Sequence, residues 1–279
     1  MNSALKVPAL LTVDLEDYRR QTLRDDIGGS PGANPGEVER QLDILLETFA
    51  SIGATATFFS VGRLTRELPR STWARIVEKH ELGCHGDEHE RVWEQGRERF
   101  RDDLRRAKSS LEEVSGVQVT AFRAPYFSSD GCDPWFGAEL AEAGFRFDSS
   151  RRVGKLPRGS SGTFELAGSN GVVREVPMPS VGFGLKRLTV IGGTYFRLLP
   201  LPVCKALLRR AHADGFVPMV YLHPYDIDPS APAIDYPGGT RYWKARAGDN
   251  LRRTGRDTAI RKLRALAADY AFRPVSSLG

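Results

Sequence analysis

The segment CHGDEH, residues 84–89, places two of the chain's five histidines four residues apart. If this segment forms a helical turn, His85 and His89 point the same way, with their Cβ atoms about 5–6 Å apart. Two imidazole nitrogens at that spacing can bind one metal ion at roughly 2.0–2.1 Å each. A catalytic metal site also needs a third, hard ligand and an open coordination position. A surface pair on a solvated helix is the alternative interpretation of this pattern.

Carboxylates that could complete such a site occur in TVDLEDY, residues 12–18. Asp14 directly follows an apolar run, so its side chain is expected at the edge of the core, where it can act as a base or a metal ligand. Along an extended strand, Asp14 and Glu16 point to the same face, whereas Asp17 joins them only if the chain has turned. Solvated acids at the end of a strand are the alternative here.

Two further segments place reactive side chains after predicted strands. In FRAPY, residues 122–126, the Arg123 guanidinium can hold a carboxylate in one orientation. The proline of this segment fixes a turn, after which the Tyr126 backbone N–H can face an oxyanion. In VYLHPYDID, residues 220–228, His223 ends a strongly apolar run and can donate a proton near neutral pH. Taken separately, each segment is equally compatible with a structural turn or a structural histidine.

Strand and helix patterns alternate along the chain around these residues. Apolar runs predict strands at residues 7–13, 55–60, 82–84, 119–122, 145–147, 172–176, 217–222 and 272–275. Helical spacing of apolar residues predicts helices at 38–49, 71–80, 100–114, 134–143, 202–212 and 259–268, and GGSPGANPGE, 28–37, is expected to be a turn-rich loop. The alternation predicts parallel strands with crossover helices, in a barrel or an open sheet.

The position of the reactive side chains favours the barrel. The four that directly follow predicted strands are Asp14, His85, Arg123 and His223. Active sites of parallel barrels are built at this end of the strands. We therefore expect these side chains to converge.

Composition is that of a globular protein without a nucleic-acid-binding signature. The 279 residues carry a net charge of +5 and no basic tail, which leaves only a weak preference for anionic substrates. Cys84, Cys132 and Cys204 are odd in number and widely spaced, which argues against disulfides, and Cys84 is expected in the core rather than at a metal. No stretch approaches the roughly 20 apolar residues of a membrane span, and the N-terminus lacks signal-peptide features. We expect a cytoplasmic protein.

The motifs TVDLEDY, TATFF, HELGCHGDEH, FRAPYFS, FDSS and YLHPYDID resemble, in order and spacing, those of the polysaccharide deacetylase family. This is the NodB-homology group, or carbohydrate esterase family four. The resemblance covers residues 7–228 and leaves 229–279 as a C-terminal extension of one domain, 1–279. GGTYFRLLP, residues 192–200, and HPYDID are similar to a subgroup linked to exopolysaccharide synthesis. The resemblance implies an α/β fold, a deformed (β/α) barrel of seven parallel strands, with a divalent metal, commonly Zn²⁺.

The resemblance also implies catalytic roles. Asp14 matches the catalytic base, and Arg123 matches the arginine that orients it. Tyr126 matches the residue whose backbone N–H forms the oxyanion hole, and His223 matches the general acid. Leu222 resembles the leucine that lines the acyl-group pocket.

The metal ligands follow the family with one departure. His85 and His89 match the two metal-binding histidines. The family's usual motif has two adjacent aspartates, base then ligand, whereas Leu15 stands at the second position here. Relatives with an Asp-x-Asp pattern favour Glu16 as the third ligand, and its strand parity agrees. Asp17 is the alternative.

The implied function is metal-dependent removal of an N-acetyl group from an N-acetylated saccharide. One alternative is an amidohydrolase acting on a formyl group, a cyclic amide or a lipid-linked sugar. For the lipid-linked version, the apolar and basic residues of 198–211 could contact a membrane surface, although a core helix with a basic outer face explains the same pattern. Another alternative is a catalytically silent glycan-binding barrel, which only Leu15 suggests.

The remaining histidines and the tryptophans receive simpler interpretations. His80 is expected to be structural, and His212 is expected on the surface of a basic helix. Most tryptophans are expected in the core, with Trp243 in RYWKAR as the candidate for stacking on a sugar. The sequence gives no indication of the oligomeric state.

Overall fold

A computed structural model describes residues 5–28, 34–132, 135–166, 171–183, 186–189, 191–236 and 240–279. Its strands are β1 (Val7–Leu15), β2 (Thr57–Ser60), β3 (Glu81–Cys84), β4 (Ala121–Phe122), β5 (Phe147–Asp148), β6 (Arg152–Val153), β7 (Phe164–Leu166), β8 (Val173–Glu175), β9 (Met178–Phe183), β10 (Lys186–Thr189), β11 (Met219–Leu222) and β12 (Tyr270–Arg273). Its helices are α1 (Tyr18–Ile27), α2 (Pro35–Ile52), α3 (Arg70–Val77), α4 (Val92–Ser115), α5 (Trp135–Glu142), α6 (Gly193–Leu198), α7 (Leu201–Ala213), α8 (Trp243–Arg253) and α9 (Arg256–Leu266).

The main sheet has the order β11-β1-β2-β3-β4-β5-β8-β7. Every pairing from β11 to β8 is parallel, which joins seven strands, and with β12 the described residues form eight parallel strands in this sheet, one more than predicted. β12 adds a further parallel partner for β1, and β7 joins the far edge antiparallel to β8. The sheet curls into a half-barrel, so the predicted deformed (β/α) barrel is confirmed. A small separate sheet has the order β10-β9-β6.

The two faces of β1 serve different purposes. Leu11 and Val13 point to the hydrophobic cluster that includes the buried faces of α2, α3 and α4. Leu10 points to a smaller cluster on the concave face of the sheet. Because side chains alternate along a strand, Thr12 and Asp14 share the concave face with Leu10, and both are buried. The inner face of the half-barrel therefore carries polar groups at its C-terminal edge.

The predicted elements lie close to the observed ones, with specific misses. The last strand lies two residues earlier than predicted, at Tyr270–Arg273. Helices α1, α6 and α8 and the short strands β6, β7, β9 and β10 were not predicted. In the predicted loop 28–37, residues 29–33 lie outside the described residues, as does the predicted helix start at residue 134.

The segment 198–211 behaves as a core helix. On α7, Cys204 and Leu208 are fully buried in the main hydrophobic cluster. Lys205 pairs with Asp269 at 2.7 Å on the outer side. Among the described residues, no helix combines the length and apolar character that crossing a membrane requires.

Gly83 on β3 allows close packing beneath the site. A Cβ at this position would lie 2.7 Å from Phe59 Cδ1 and 3.2 Å from the Ala121 carbonyl oxygen. The Phe59 ring in turn supports the Arg123 guanidinium, whose Cζ lies 4.3 Å from the ring centroid. We expect Gly83→Ala to lower the free energy of unfolding by about 1–3 kcal/mol, measured by urea denaturation, because the ring must move.

The matched control is Gly36→Ala in α2, where an added Cβ meets nothing within 4 Å. This change should leave stability unchanged or raise it by up to about 1 kcal/mol, since alanine favours a helix over glycine. Equal stabilities of the two variants would contradict the packing role assigned to Gly83.

Candidate active site

A buried ion pair between Arg123 and Asp14 lies at the centre of the inner face. Arg123 follows β4 and is fully buried. Its Nη1 donates to Asp14 Oδ1 at 2.7 Å and to Thr12 Oγ1 at 2.9 Å. Its Nε and Nη2 donate to the Ser149 carbonyl and hydroxyl oxygens at 3.1 and 3.0 Å. These contacts fix the guanidinium and hold one oxygen of the carboxylate, so Asp14 Oδ2 has a defined direction.

The same environment sets the protonation state of Asp14. Burial by itself would raise its pKa, but the charge of Arg123 and the neighbouring His85 outweigh burial and lower the pKa below its usual value. Asp14 is therefore a carboxylate at neutral pH, with Oδ2 3.9 Å from His85 Nε2. A carboxylate held in this way can accept a proton from a group between it and the histidine.

His85 presents one ring nitrogen to the site. Its Nδ1 lies 2.7 Å from the Arg123 carbonyl oxygen. A carbonyl only accepts, so Nδ1 carries the proton, and in the neutral ring the lone pair is on Nε2. Burial lowers the pKa of His85 to about 4, so the ring is neutral at pH 7. This orientation and charge state are those that a metal-binding histidine requires.

The histidine pair lies on a loop that follows β3, not on the helical turn considered for residues 84–89. The loop turns through Gly86 at φ 73°, and His89 itself adopts φ 55°. The Asp103 carboxylate accepts from the backbone N–H groups of Asp87 and Glu88 at 2.8 and 3.3 Å. The two imidazole centroids nevertheless lie 4.9 Å apart. A left-handed loop held by buried hydrogen bonds brings the side chains together instead of an i, i+4 helix face.

Helix α1 adds a second support to this loop. Arg24 donates from Nη1 to the Glu88 carbonyl oxygen at 2.7 Å and from Nη2 to the His89 carbonyl oxygen at 2.8 Å. Asp87 is buried and accepts from Arg66 at 3.0 and 3.3 Å. The backbone that carries the histidines is thus fixed from both sides.

Glu16, rather than Asp17, is the carboxylate beside the histidines. Glu16 Oε2 lies 2.7 Å from His89 Nε2. Burial raises the pKa of Glu16, but His89 outweighs it and the pKa falls to about 2, so the side chain is charged. Asp17 is the N-cap of α1, where it accepts from Arg20 N and Asn34 N at 3.0 Å each. The position of Glu16 beside the histidines thus agrees with the strand parity from Asp14.

This cluster fits a divalent metal ion. Glu16, His85 and His89 each offer a ligand atom, and these atoms lie within 4.8 Å of one another. His89 Nδ1 is buried without a hydrogen-bond partner, and Glu16 Oε2, although 2.7 Å from His89 Nε2, is buried without a hydrogen bond of acceptable geometry. Unpartnered buried polar atoms are costly, and a cation would satisfy the carboxylate. Two imidazoles and one carboxylate are a common donor set of catalytic metal sites.

His223 and Tyr126 flank the cluster. His223 follows β11, and its Nε2 lies 3.8 Å from Glu16 Oε1. Its pKa is raised to about 9, since the Asp226 carboxylate outweighs the opposing effect of burial. The Tyr126 ring lies 4.7 Å from the His89 ring, and its backbone has φ 58° after Pro125.

The geometry does not bring Leu222 into this group. Leu222 is the register partner of Val13 on β1, and both belong to the hydrophobic cluster on the helix-covered side of the sheet. Because side chains alternate, Tyr221 and His223 occupy the inner face instead. Leu222 was expected to line an acyl-group pocket. Its side chain instead lies on the opposite face of the sheet, covered by the helices.

Sequence reasoning missed residues that support the site. Thr12 and Ser149 both bind the Arg123 guanidinium, and Asp226 binds His223 Nδ1 at 3.0 Å. Signals for them existed in the sequence. Thr12 shares strand parity with Asp14, and Ser149 follows a predicted strand within FDSS.

The remaining cysteine and histidines lie where they were expected, whereas Trp93 is 50% exposed rather than in the core. Cys84 is buried in the main cluster, and burial raises the pKa of its thiol, so it is not a metal ligand in the group above. The His80 ring packs on Phe58 with 5.4 Å between centroids, and His212 is exposed. Trp243 is 61% exposed, so its stacking on a sugar stays a prediction.

Comparisons with known proteins agree with this geometry. Residues 35–145 match the family model described as polysaccharide deacetylase. The fold is similar to that of a protein from Mycobacterium smegmatis assigned to the polysaccharide deacetylases, with a TM-score of 0.61 and 19% identity over 100% of this chain and 93% of that one.

Residues 35–145 of this chain belong to the polysaccharide deacetylase family, and the chain has that family's fold.

Another similar fold is that of a family 4 carbohydrate esterase from Streptomyces lividans in complex with acetate, with a TM-score of 0.50 and 12% identity over 96% of this chain and 93% of that one. Residues 147–278 of this chain match a second model, described as a domain of unknown function, DUF3473. A search of the curated proteins found no match. The exopolysaccharide-linked subgroup stays a prediction.

Removing either histidine should abolish metal binding by this protein. We expect His85→Ala and His89→Ala to retain no stoichiometric Zn²⁺ after equilibration and dialysis, measured by elemental analysis and by calorimetric titration, because each loses one of three ligands. The control is His212→Ala, exposed on α7, which should bind as the parent does. One zinc per chain in either site variant would contradict the assignment.

A second prediction concerns two buried carboxyl groups behind Arg123. Asp148 and Glu175 are register partners on β5 and β8 and are fully buried. Burial raises the pKa of both, and the charge of Asp148 raises that of Glu175 further, well above its usual value. Ser150 donates to Asp148, and Ser149 holds Arg123. The folded protein therefore keeps a proton on Glu175 that the unfolded chain releases above about pH 4.3.

The stabilising contribution of this proton is complete below the unfolded pKa and is lost as the pH rises. Glu175→Gln cannot ionise, so we expect its melting temperature to rise relative to the parent as the pH goes from about 5 to 8. Glu165→Gln, exposed on β7, should show no such trend. A difference between Glu175→Gln and the parent that is constant with pH would mean that the pair is not protonated.

Proposed function

We propose that this protein is a metal-dependent hydrolase that removes N-acetyl groups from an N-acetylated saccharide. The observation that carries the proposal is the cluster of Glu16, His85 and His89 beside the buried Asp14–Arg123 pair, in a chain that has the fold of the polysaccharide deacetylase family. A metal-ligand set and an ionised, oriented carboxylate within one inner face are the elements that amide hydrolysis by water needs.

The metal would be held by Glu16, His85 and His89, and the donor set suits Zn²⁺. When bound, a divalent cation lowers the pKa of water toward neutrality and polarises the amide carbonyl. The left-handed loop at 85–89 and the N–H groups bound by Asp103 keep the histidine ligands in place. Neutral His85 needs no deprotonation before it binds a cation, because burial already lowers its pKa.

Asp14 is the proposed general base. Arg123 holds Asp14 Oδ1, which leaves Oδ2 on the side of His85 to take the proton from the attacking water. The lowered pKa of Asp14 keeps this oxygen unprotonated before the reaction. Proton transfer of this kind contributes about 10²–10⁴-fold to the rate.

Tyr126 and His223 complete the proposed reaction. The Tyr126 backbone N–H would donate to the oxyanion that forms as water adds to the carbonyl. His223 would then protonate the departing nitrogen from Nε2, which lies 3.8 Å from Glu16 Oε1. The C–N bond breaks, and the products are acetate and a free amino sugar.

We also propose that residues 1–279 form one domain, although two family models divide the matched residues near position 146. Strands β11 and β12, from the second matched segment, pair with β1, which precedes the first matched segment and carries Asp14. The catalytic groups would then come from both segments.

The test is acetate release from a panel of N-acetylated sugars, from chitooligosaccharides to nucleotide sugars, with Zn²⁺-loaded protein. We expect release from at least one member and a loss of about 100-fold or more in Asp14→Asn, which removes the base while keeping the shape. The control is Asp235→Asn, an exposed carboxylate, which should retain full turnover.

Full turnover in Asp14→Asn would remove Asp14 from the proposed mechanism. No release from any member, with zinc demonstrably bound, would overturn the N-acetyl saccharide proposal and direct the search to formyl, cyclic-amide or lipid-linked substrates. Saccharide binding without metal would instead indicate a silent glycan-binding barrel.

A further inference from the structure

His223 is held by a buried ion pair that the motifs did not predict. The Asp226 carboxylate accepts from the His223 backbone N–H at 2.7 Å, and its Oδ2 lies 3.0 Å from His223 Nδ1. On its other side, Asp226 Oδ1 accepts from Arg197 Nε at 2.6 Å. The side chains of Arg197 and Asp226 are fully buried.

From this geometry we propose that Arg197 and Asp226 are positioning residues for His223, which fix its ring so that the proton on Nε2 is the one delivered to the leaving amine. The inference rests on the proposed function, in which His223 is the general acid. It gives Arg197 and Asp226, and with them the segment 147–278, a role in that function.

The contact with Asp226 fixes the tautomer of the His223 ring. A carboxylate paired with a guanidinium only accepts hydrogen bonds, so the Nδ1 atom that faces Asp226 must carry a proton. The proton that His223 can give up to a ligand is therefore on Nε2, which points toward Glu16 Oε1 at 3.8 Å. Loss of Asp226 would free the ring to rotate or to exchange tautomers.

Asp226 is itself anchored by Arg197. Arg197 lies on α6 and uses its remaining donors on backbone and hydroxyl oxygens. Its Nη1 donates to the Thr254 carbonyl at 2.6 Å and its Nη2 to Thr194 Oγ1 at 3.0 Å. A guanidinium with this many partners cannot follow a moving carboxylate, so it holds Asp226 in one place.

The two glycines that begin GGTYFRLLP allow α6 to approach β11 closely. A Cβ at Gly192 would lie 1.7 Å from the Tyr221 ring, and one at Gly193, with φ 48°, would lie 3.5 Å from His223 Cε1. The start of α6 therefore packs directly on the inner-face residues of β11. This close approach brings Arg197 within reach of Asp226.

The ring faces of His223 are also restrained. Tyr225 stacks on the imidazole with centroids 4.9 Å apart and an interplanar angle of 17°. Tyr221 meets it edge-on at 5.5 Å. With Nδ1 held by Asp226, Nε2 is the ring nitrogen that faces the cluster. All of these residues lie within 147–278, so the segment of unknown function would supply the support for the general acid.

The experiment compares two leaving groups in the Zn²⁺-loaded protein. An amine must be protonated to leave, whereas 4-nitrophenolate leaves from 4-nitrophenyl acetate without a proton. We expect Asp226→Asn to lower kcat for the N-acetylated sugar by about 10- to 100-fold and to change 4-nitrophenyl acetate hydrolysis by less than about threefold. His223→Gln should show the same selectivity with a larger loss.

Two further variants separate positioning from general damage. The double variant Asp226→Asn/His223→Gln should be no slower on the amide than His223→Gln alone, because both changes act on one proton transfer. Asp228→Asn removes another fully buried carboxylate of the same segment, which pairs with Arg40 at 2.7 Å. It should leave the ratio of amide to ester rates unchanged. Equal loss on both substrates in Asp226→Asn, or an additional loss in the double variant, would overturn the inference.

A second readout does not depend on turnover. Two-dimensional ¹⁵N spectra of the zinc-loaded parent, with His223 assigned by comparison with His223→Gln, should show a protonated Nδ1 at this residue. In Asp226→Asn this pattern should change, and in Arg197→Lys it should be retained with a broader signal. An unprotonated Nδ1 in the parent overturns the inference even if Asp226→Asn fails to fold. If no sugar is deacetylated, the proposed function fails, while these spectra still decide the role of Asp226.

Discussion

The buried pair of Arg123 and Asp14 is the interaction on which the rest of the site depends. A charged pair without solvent is stable only when its remaining hydrogen-bonding groups are satisfied, and Arg123 takes its partners from Thr12 on β1 and Ser149 after β5. Its guanidinium also rests on the Phe59 ring of β2. These strands must therefore keep their parallel register, because a slip of one residue would turn the partners of Arg123 to the other face.

The fold could be predicted well from the sequence because its signal is local. Each apolar run that ends in a reactive residue became a strand of the sheet, and parallel strands bring their carboxyl ends to one edge. The alternation of side chains along β1 favoured Glu16 over Asp17 as the carboxylate beside the histidines, without any tertiary information. The same parity argument, applied to β11, would have turned Leu222 away from the site and indicated Tyr221.

What could not be predicted depends on contacts between distant segments. The histidine loop has left-handed residues at Gly86 and His89 and is held by Asp103, whose burial raises its pKa to about 6. Nothing in CHGDEH distinguishes this loop from a helical turn, since both bring positions 85 and 89 together. Arg197 and Asp226 are 29 residues apart, and only the packing of α6 on β11 joins them.

The parts of the chain before and after position 146 therefore have different physical tasks in one site. Residues before position 146 supply the charged cluster: Asp14 and Glu16 lie at the end of β1, ahead of the matched segment 35–145, and the histidine pair lies within that segment. Residues after it supply side chains that hold others in place: Ser149 on Arg123 and Asp226 on His223. The proposed reaction transfers a proton to a base and later transfers a proton from an acid. Both the reacting side chains and the side chains that hold them are needed, because an acid or base that rotates freely is rarely aligned when the bond breaks. A barrel with only the residues before position 146 would contain the proposed ligands and the proposed base, but Arg123 would lose Ser149, and there would be no His223.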